Sequence, residues 1–324
     1  MFSEFGLIRR FKKLLRTRDR RVRLGAGDDT AALAFGRQNL LFTCDSVVEG
    51  VHFRLDYFSF YEVGWRLASA NLSDIAAMGG KPLAALITLG ARKGLNEKNI
   101  FESYRGILTL LSKFNCPVVG GDIVRSRQFF LDMAMLGVAG EKLFTRSGAR
   151  PGQLVVVTGE LGRSLLGFKL LSQAKKRPLS ILTEKHLRPF PRLLESGFLA
   201  SRVKVGAMID ISDGLSSELS HLCEQSGVGF EIEEEKLPLH PVLVKEARML
   251  GLSATKLALS SGEEYELLFT CPVLEEKKLL SWNRGRRGAP FTVIGRTVKS
   301  PKKIFLKKTS GPTRLVQPTG FRHF

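Results

Sequence analysis

The chain has 324 residues, of which 44% are hydrophobic and 25% charged, and a formal net charge of +19. That length exceeds one ordinary core and suits two domains of roughly 150 residues each, while the composition excludes the disordered and fibrous classes. The four cysteines form no C-x-x-C pair, which argues against a zinc site or a disulfide framework, and no apolar run reaches the length of a membrane span.

Phe5, Ile8, Phe11 and Leu15 recur at helical spacing, predicting an amphipathic helix whose other face is basic. A Gly25–Asp29 turn leads to an apolar stretch from Thr30 to Phe35. Leu40–Asp45 reads as a buried strand that delivers an aspartate at its end. The alanine-rich run Glu62–Met78 is helical and is stopped by Gly79-Gly80 and Pro82. Strand-like Leu83–Leu89, a helix from about Asn96 to Lys113, and strands at Cys116–Val119 and Phe129–Val138 complete a first α/β domain. The turn cluster Ser147–Gly152 marks the boundary. Beyond it come a strand at Leu154–Thr158, a glycine-bearing loop Gly159–Ser164 able to cradle phosphate, and a helix. Gln173–Arg192, polar, basic and proline-bearing, reads as a surface excursion. Asp210–Glu224 is a strand end followed by a helix, and Phe230–Ile232 begins another strand.

The positive charge is concentrated at the ends. Residues 9–23 hold nine basic residues and one acid, and residues 277–324 hold thirteen basic residues and no acid, so 28 of the 50 basic and 30 of the 31 acidic residues lie elsewhere. A nucleic-acid binder would interleave aromatic and basic residues over a working face, so nucleic acid is not the expected partner. The N-terminus, apolar and then basic, reverses the order of a secretory signal, and the expected location is cytoplasmic.

Aspartates fall repeatedly at strand ends or beside glycines: Asp28, Asp29, Asp45, Asp122, Asp210 and Asp213. Each alone is an ordinary turn residue. Together, without His or Cys clusters, they point to a hard cation such as Mg²⁺, Mn²⁺ or Ca²⁺. Asp74 adds to the set, because a carboxylate near a helix C-terminus opposes the macrodipole and calls for another reason to be there. There is no Walker-type G-x-x-x-x-G-K-[ST] loop and no protein-kinase H-R-D…D-F-G series. His52, Tyr104 and Arg146 carry no signal by themselves.

Taken in order, E-F-G-L-I from Glu4, G-D-D from Gly27, T-C-D from Thr43, V-E-G-V-H-F from Val48, N-L-S-D-I-A-A-M-G from Asn71, G-G-D from Gly120, D-I-S-D-G-L from Asp210, G-E-E-Y-E-L-L-F from Gly262 and the terminal G-F-R-H-F resemble the thiamine-monophosphate kinase family. That family belongs to the superfamily that includes aminoimidazole ribonucleotide synthetase. The resemblance implies a two-domain α/β (α+β) fold. Residues 1–146 would form a mixed-sheet domain that binds ATP and Mg²⁺ and pairs across a homodimer, and residues 147–324 a second α/β domain that completes the site. It further implies that Asp28, Thr43, Cys44, Asp45, Asp74, Asp122, Asp210 and Asp213 surround several Mg²⁺ ions. Tyr104, Gly121, Asp122, Arg146 and Ser212 would contact ATP; His52, Glu263 and Phe321 would contact the thiamine part.

Three positions depart from the family pattern: Cys44 replaces a hydroxyl residue, Ser261 a glycine and Glu264 an aspartate. The implied reaction passes the γ-phosphoryl group of ATP directly to a phosphate monoester. That acceptor is already largely dianionic at neutral pH, so no residue is assigned as a catalytic base. Two other readings stay open: another ATP-dependent synthetase of the superfamily, or a nucleic-acid-associated protein using its basic ends.

Overall fold

The structure is a computed structural model that describes residues 4–15, 19–173, 180–285, 288–300, 302–309 and 311–319. The first half comprises α1 (Glu4–Leu14), β1 (Val22–Leu24), β2 (Ala31–Phe35), β3 (Gln38–Val48), α2 (Phe60–Ala77), β4 (Lys81–Ala91), α3 (Glu97–Leu111), β5 (Val118–Arg125) and β6 (Phe130–Ala139). Its strands form one six-stranded sheet in the order β1-β2-β3-β6-β4-β5, antiparallel except for the β4–β5 pair. The second half comprises β7 (Leu154–Thr158), α4 (Arg163–Gln173), α5 (Ile181–Leu187), α6 (Leu193–Arg202), β8 (Met208–Asp210), α7 (Leu215–Ser226), β9 (Gly229–Glu233), α8 (Pro241–Met249), α9 (Ala254–Ser260), β10 (Leu267–Cys271), α10 (Glu276–Gly285), β11 (Phe291–Val298), β12 (Ile304–Lys307) and β13 (Arg314–Leu315). Its seven-stranded sheet runs β13-β12-β9-β11-β7-β10-β8.

Helix α2 ties the halves together. It starts with a capping box, Ser59 and Glu62 each binding the other's backbone amide. Nearly every residue after Glu62 is buried, because α2 packs on β3 and β6 on one side and on α3, α6 and β8 on the others. Cross-links from the second half reach it directly: Ser196 Oγ donates to Ala76 O at 2.5 Å, and Trp65 Nε1 donates to Pro189 O at 2.7 Å. The apolar core is accordingly continuous from Leu41, Leu67 and Met133 to Met208, Phe269 and Phe291.

Strand β3 alternates as a one-sided strand should. Leu41 and Val47 are buried on the α2 side, where Thr43 and Asp45 are half-buried, while Phe42, Cys44 and Ser46 turn outward.

One expectation is corrected. Residues 180–192 are not a surface excursion, because α5 buries Leu182, Thr183, Lys185, His186 and Leu187. Its basic residues mislead in the sequence because their counter-ions, Glu264 and Glu266, lie about eighty residues away in the chain. The part of that segment at residues 174–179 lies outside the described residues.

Helices α2 and α3 approach so closely that a Cβ at Gly64 would lie 1.8 Å from Ser103 O and one at Gly106 1.9 Å from Tyr61 O. Exposed Gly197 in α6 has open space around it. Ala is favoured over Gly in a helix by about 1 kcal/mol. At Gly106 the clash with backbone outweighs this, and Gly106→Ala should destabilise by about 1–3 kcal/mol, whereas Gly197→Ala should stabilise. Denaturant midpoints of the two variants should move in opposite directions.

Candidate active site

The end of β3, the last turn of α2 and the end of β8 converge on the seam between the two sheets, and each carries a carboxylate. Carboxylate oxygens of Asp29, Asp74 and Asp210 lie within 4.8 Å of one another, an arrangement able to hold a metal ion. Asp45 hydrogen-bonds to Asp74, which also accepts a bond from Thr43 Oγ1. Ser73 Oγ donates to Asp210 Oδ2 at 2.6 Å. The cation that faces the cluster is Arg146, whose Nη2 meets Asp29 Oδ1 at 2.5 Å and whose amide points at Asp28.

Burial and mutual repulsion push these acids upward. Asp210 rises to about 8, first through burial and then through Asp29. Asp74 is raised well above the usual carboxylate range by burial, Asp45 and Asp210. Asp28 rises to about 6, again mainly through burial. Asp29 Oδ2 is buried without a hydrogen-bond partner. Hard oxygen donors in a partly buried cluster short of positive charge suit Mg²⁺, so the donor set fits that ion.

Other residues singled out by the sequence take different places. Asp122 pairs in register with Thr88, which faces Asp132 on β6, and Asp132 faces Ser46 on β3. This row lies on the outward side of the first sheet, opposite to Asp45, and Asp122 Oδ1 accepts the Ile123 amide. Cys44 also points outward, its thiol 3.5 Å from Asp132, so only its main chain faces the acid cluster. Gly121 occupies the inward row, where a Cβ would lie 1.9 Å from Ile87 O. Tyr104 packs half-buried against the first core. Phe321 lies outside the described residues.

His52, Ser212, Asp213 and Glu263 line a cavity of about 640 Å³ that opens beside Asp45. His52 Nδ1 accepts the Val48 amide at 3.1 Å, which leaves the proton on Nε2. Its aromatic lining, Phe53, Tyr57 and Phe168, gathers near His186 and Arg66, and Arg66 precedes Asp74 on α2 by about 12 Å along the helix axis.

Loop Gly159–Ser164 does cradle an anion, but it is the protein's own. The Gly162 and Ser164 amides and Ser261 Oγ all donate to Glu264 Oε1, at 2.8, 3.1 and 2.6 Å. The serine and the longer acid that depart from the family pattern are therefore hydrogen-bonded partners.

Sequence reasoning passed over several residues of the site. Asp29 stood in the aspartate series but not in the ligand set that the resemblance implied, and Arg66 was visible only as the lone basic residue of an apolar helix. Buried Glu218, which accepts the Asp213 amide at 2.9 Å, gave no such signal. Nor did His186 or Tyr265, the phenol that interacts with Asp45, Asp74 and Asp210.

The two halves that meet at this carboxylate cluster match the AIR synthase related proteins, the N-terminal domain over residues 27–139 and the C-terminal domain over residues 150–307. The thiamine-monophosphate kinase of Aquifex aeolicus is 36% identical over 99% of this chain and 98% of its own length. That of Bacillus subtilis is 34% identical over 94% of each. A solved structure of AaThiL complexed with AMPPCP and TMP superposes with a TM-score of 0.86 at 36% identity, covering 99% of this chain and 97% of that one. The chain belongs to the thiamine-monophosphate kinase family. Hydrogenase maturation protein HypE, 20% identical over 86% of this chain and 85% of its own, with a TM-score of 0.69, shares the fold alone.

The acid cluster sets a pH dependence whose sign is fixed. Carboxyls raised in the fold keep protons that the unfolded chain loses near pH 3.9, so this contribution to stability falls as pH rises from there towards Asp210's value of about 8. The metal-free protein should lose melting temperature across this window. Asp74→Asn should reduce the loss and melt no lower than wild type at pH 8, while the rise that Mg²⁺ gives the wild type should shrink in the variant. A variant that melts much lower without metal would make Asp74 structural.

Proposed function

We propose that this protein transfers the γ-phosphoryl group of ATP to thiamine monophosphate, giving thiamine diphosphate and ADP, directly and without a phosphoenzyme. The observation that carries the reading is a cleft in which buried carboxylates adjoin an aromatic-walled cavity: a place for phosphate chemistry beside a place for a heterocycle. The relatives' named activity and the ATP analogue AMPPCP in the similar structure support it.

Asp29, Asp74 and Asp210 would hold Mg²⁺, with Asp28, Asp45 and Asp213 beside them and Thr43 and the Cys44 main chain completing the set on that side of the sheet; Asp122, which the family resemblance also implies, lies on the other face. When bound, Mg²⁺ supplies the positive charge that lets two polyanions approach in line. Arg146 and Ser212 would meet the ATP phosphates, with Gly121 and Tyr104 as the further nucleotide contacts that the resemblance implies. His52 offers Nε2–H to the acceptor, and Glu263 and Phe321 are assigned to its organic part. The acceptor phosphate, with a second pKa near 6, attacks as the dianion, so no side chain need remove a proton.

ADP release should require both Mg²⁺ and thiamine monophosphate and should stay at background with unphosphorylated thiamine. Equal turnover of thiamine would overturn the acceptor assignment. We place the activity in the cytoplasm, where ATP is supplied; among the described residues no helix is long and apolar enough to cross a membrane.

We also propose a homodimer paired through the edge strand β5 and the adjoining outward face of the first sheet. Edge strand β5 is exposed along nearly its whole length yet carries Val119 and Ile123 at 63% and 74% exposure, with Phe42 and Leu86 exposed further into the same sheet. A long apolar edge strand is a surface that proteins cover. Light scattering should give twice the 35.9 kDa chain mass. Ile123→Glu should shift the protein towards monomer without lowering the secondary-structure signal. A wild type that stays monomeric at micromolar concentration would overturn the pairing.

A further inference from the structure

The segment Ser261–Glu266 is gripped from both sides. Glu263 and Tyr265 have positive φ values of 58° and 47°, a backbone region that costs energy for residues other than glycine. Main-chain bonds from the Glu263 and Tyr265 amides to Ser212 O and Ile211 O hold the turn in place. Successive side chains therefore diverge. Glu264 and Glu266 point into the protein, where Lys185 Nζ reaches Glu266 at 2.7 Å and Arg192 pairs with it at 2.5 Å. Glu263 and Tyr265 line the cavity.

The Glu263 carboxylate has an ion-pair partner and a close neighbour. Arg66, from α2 in the first half of the chain, pairs with Oε1 through Nη2. His186, the neighbour of Lys185 on α5, places Nδ1 3.6 Å from Oε2. Arg66 is 2% exposed, and its guanidinium lies 5.3 Å from the centre of the Phe58 ring. It is already committed to Glu263 and to the ring, which leaves it a poor candidate for binding phosphate. His186 packs at a tilt among Tyr57, Phe58 and Phe168, with Ser164 Oγ 3.3 Å from Nδ1. Burial, and then Arg66, hold its pKa well below the usual value, so it is neutral and acts by hydrogen bonding and packing. Arg66 Nη1 and His186 Nε2 are buried without hydrogen-bond partners, a cost that a purely structural ion pair would not require.

Within the proposed reaction, on which this inference rests, the phosphate end of the acceptor must lie at the acid cluster. The aromatic end is then left for the heterocycles, and the Arg66–Glu263–His186 group stands there. We propose that Arg66 and His186 are positioning residues that aim the Glu263 carboxylate at the exocyclic amine of the acceptor's aminopyrimidine, and so set the preference for the complete thiamine skeleton over smaller phosphomonoesters. A carboxylate accepts hydrogen bonds and cannot donate them, which matches an amine edge. A site built to hydrogen-bond one group rejects an analogue lacking it far more strongly than an apolar pocket rejects a missing methylene. Arg66 comes from the first half of the chain and Glu263 from the second, so the reader of the organic part is assembled only when both halves are packed together.

The test compares two acceptors, thiamine monophosphate and the hydroxyethylthiazole monophosphate that lacks the pyrimidine ring, with wild type, Arg66→Met, Arg66→Lys, His186→Asn, Glu263→Gln and the Arg66→Met/Glu263→Gln double variant. Arg66→Met should raise KM for thiamine monophosphate by about tenfold or more, with kcat within about threefold and KM for ATP unchanged, a loss of binding to the organic part alone. The preference for the full acceptor over the thiazole phosphate should fall by the same factor, Arg66→Lys should recover most of it, and His186→Asn should show a smaller fall. The double variant should lose no more preference than Glu263→Gln, because the two residues act as one unit. Equal losses on both acceptors, an additive double variant or an unchanged preference would each overturn the proposal. Should Arg66→Met not fold, Glu263→Gln and His186→Asn report on the same preference. Wild-type protein that releases no ADP with thiamine monophosphate would refute the proposed function itself, a result distinct from any of these.

Discussion

Like charges must be kept together, out of water, at the seam between two sheets. Asp29, Asp45, Asp74 and Asp210 come from a loop, a strand end, a helix end and another strand end, and burying any one of them unpaired is costly. Without a cation the protein manages this by sharing protons, by hydroxyl donors from Thr43 and Ser73, and by Arg146. These measures offset the repulsion only in part, and the remainder is the capacity to bind a divalent ion and, with it, phosphate. The α2 packing follows from the same requirement: a helix that presents Asp74 at its disfavoured end must be held in place by burial of its other faces rather than by its own termini.

A second buried charge system behaves in the opposite way. Burial alone would raise Glu266, but Arg192 and Lys185 hold it down at about 2. Its function is mechanical, to pull alternate residues of the Ser261–Glu266 turn inward so that the residues between them face the cavity. The two systems meet around one stretch of chain. The acid cluster supplies a site for cations and phosphate, while the saturated ion pairs supply a rigid frame for the organic part of a ligand. Helix α5 serves the second system with Lys185 and the cavity with His186, which is why so short a helix is almost wholly buried.

Much was legible from local chemistry. The strand that delivers Asp45, the helix that ends near Asp74, the acid-rich turns and the likeness to a kinase family all rest on patterns within a few residues, where periodicity and turn preferences act directly. Gln173–Arg192 could not be read in that way. A basic, proline-bearing segment is normally solvated, and the burial of residues 180–192 depends on distant glutamates. The Gly159–Ser164 loop had the correct local character, amides arranged to receive an anion, but the anion proved to be Glu264, a hundred residues further along the chain.

The sequence alone therefore determined the class of chemistry, through oxygen-only ligands and the absence of Walker, protein-kinase and zinc motifs, together with the order of the elements that carry it. Tertiary structure decided which carboxylates share a site. Period-two alternation sends Asp45 to the α2 side of the first sheet and the register of β5 sends Asp122 to the other, while the sheet-to-sheet packing brings Asp29, Asp74 and Asp210 together. It also decided that Arg66 meets Glu263, since the two lie 197 positions apart and only the docking of α2 against the second sheet closes that distance. The physical reason is the range of the forces. Propensity and periodicity act over a turn or two of chain, whereas desolvation and charge pairing depend on neighbours that the chain supplies only once it has folded.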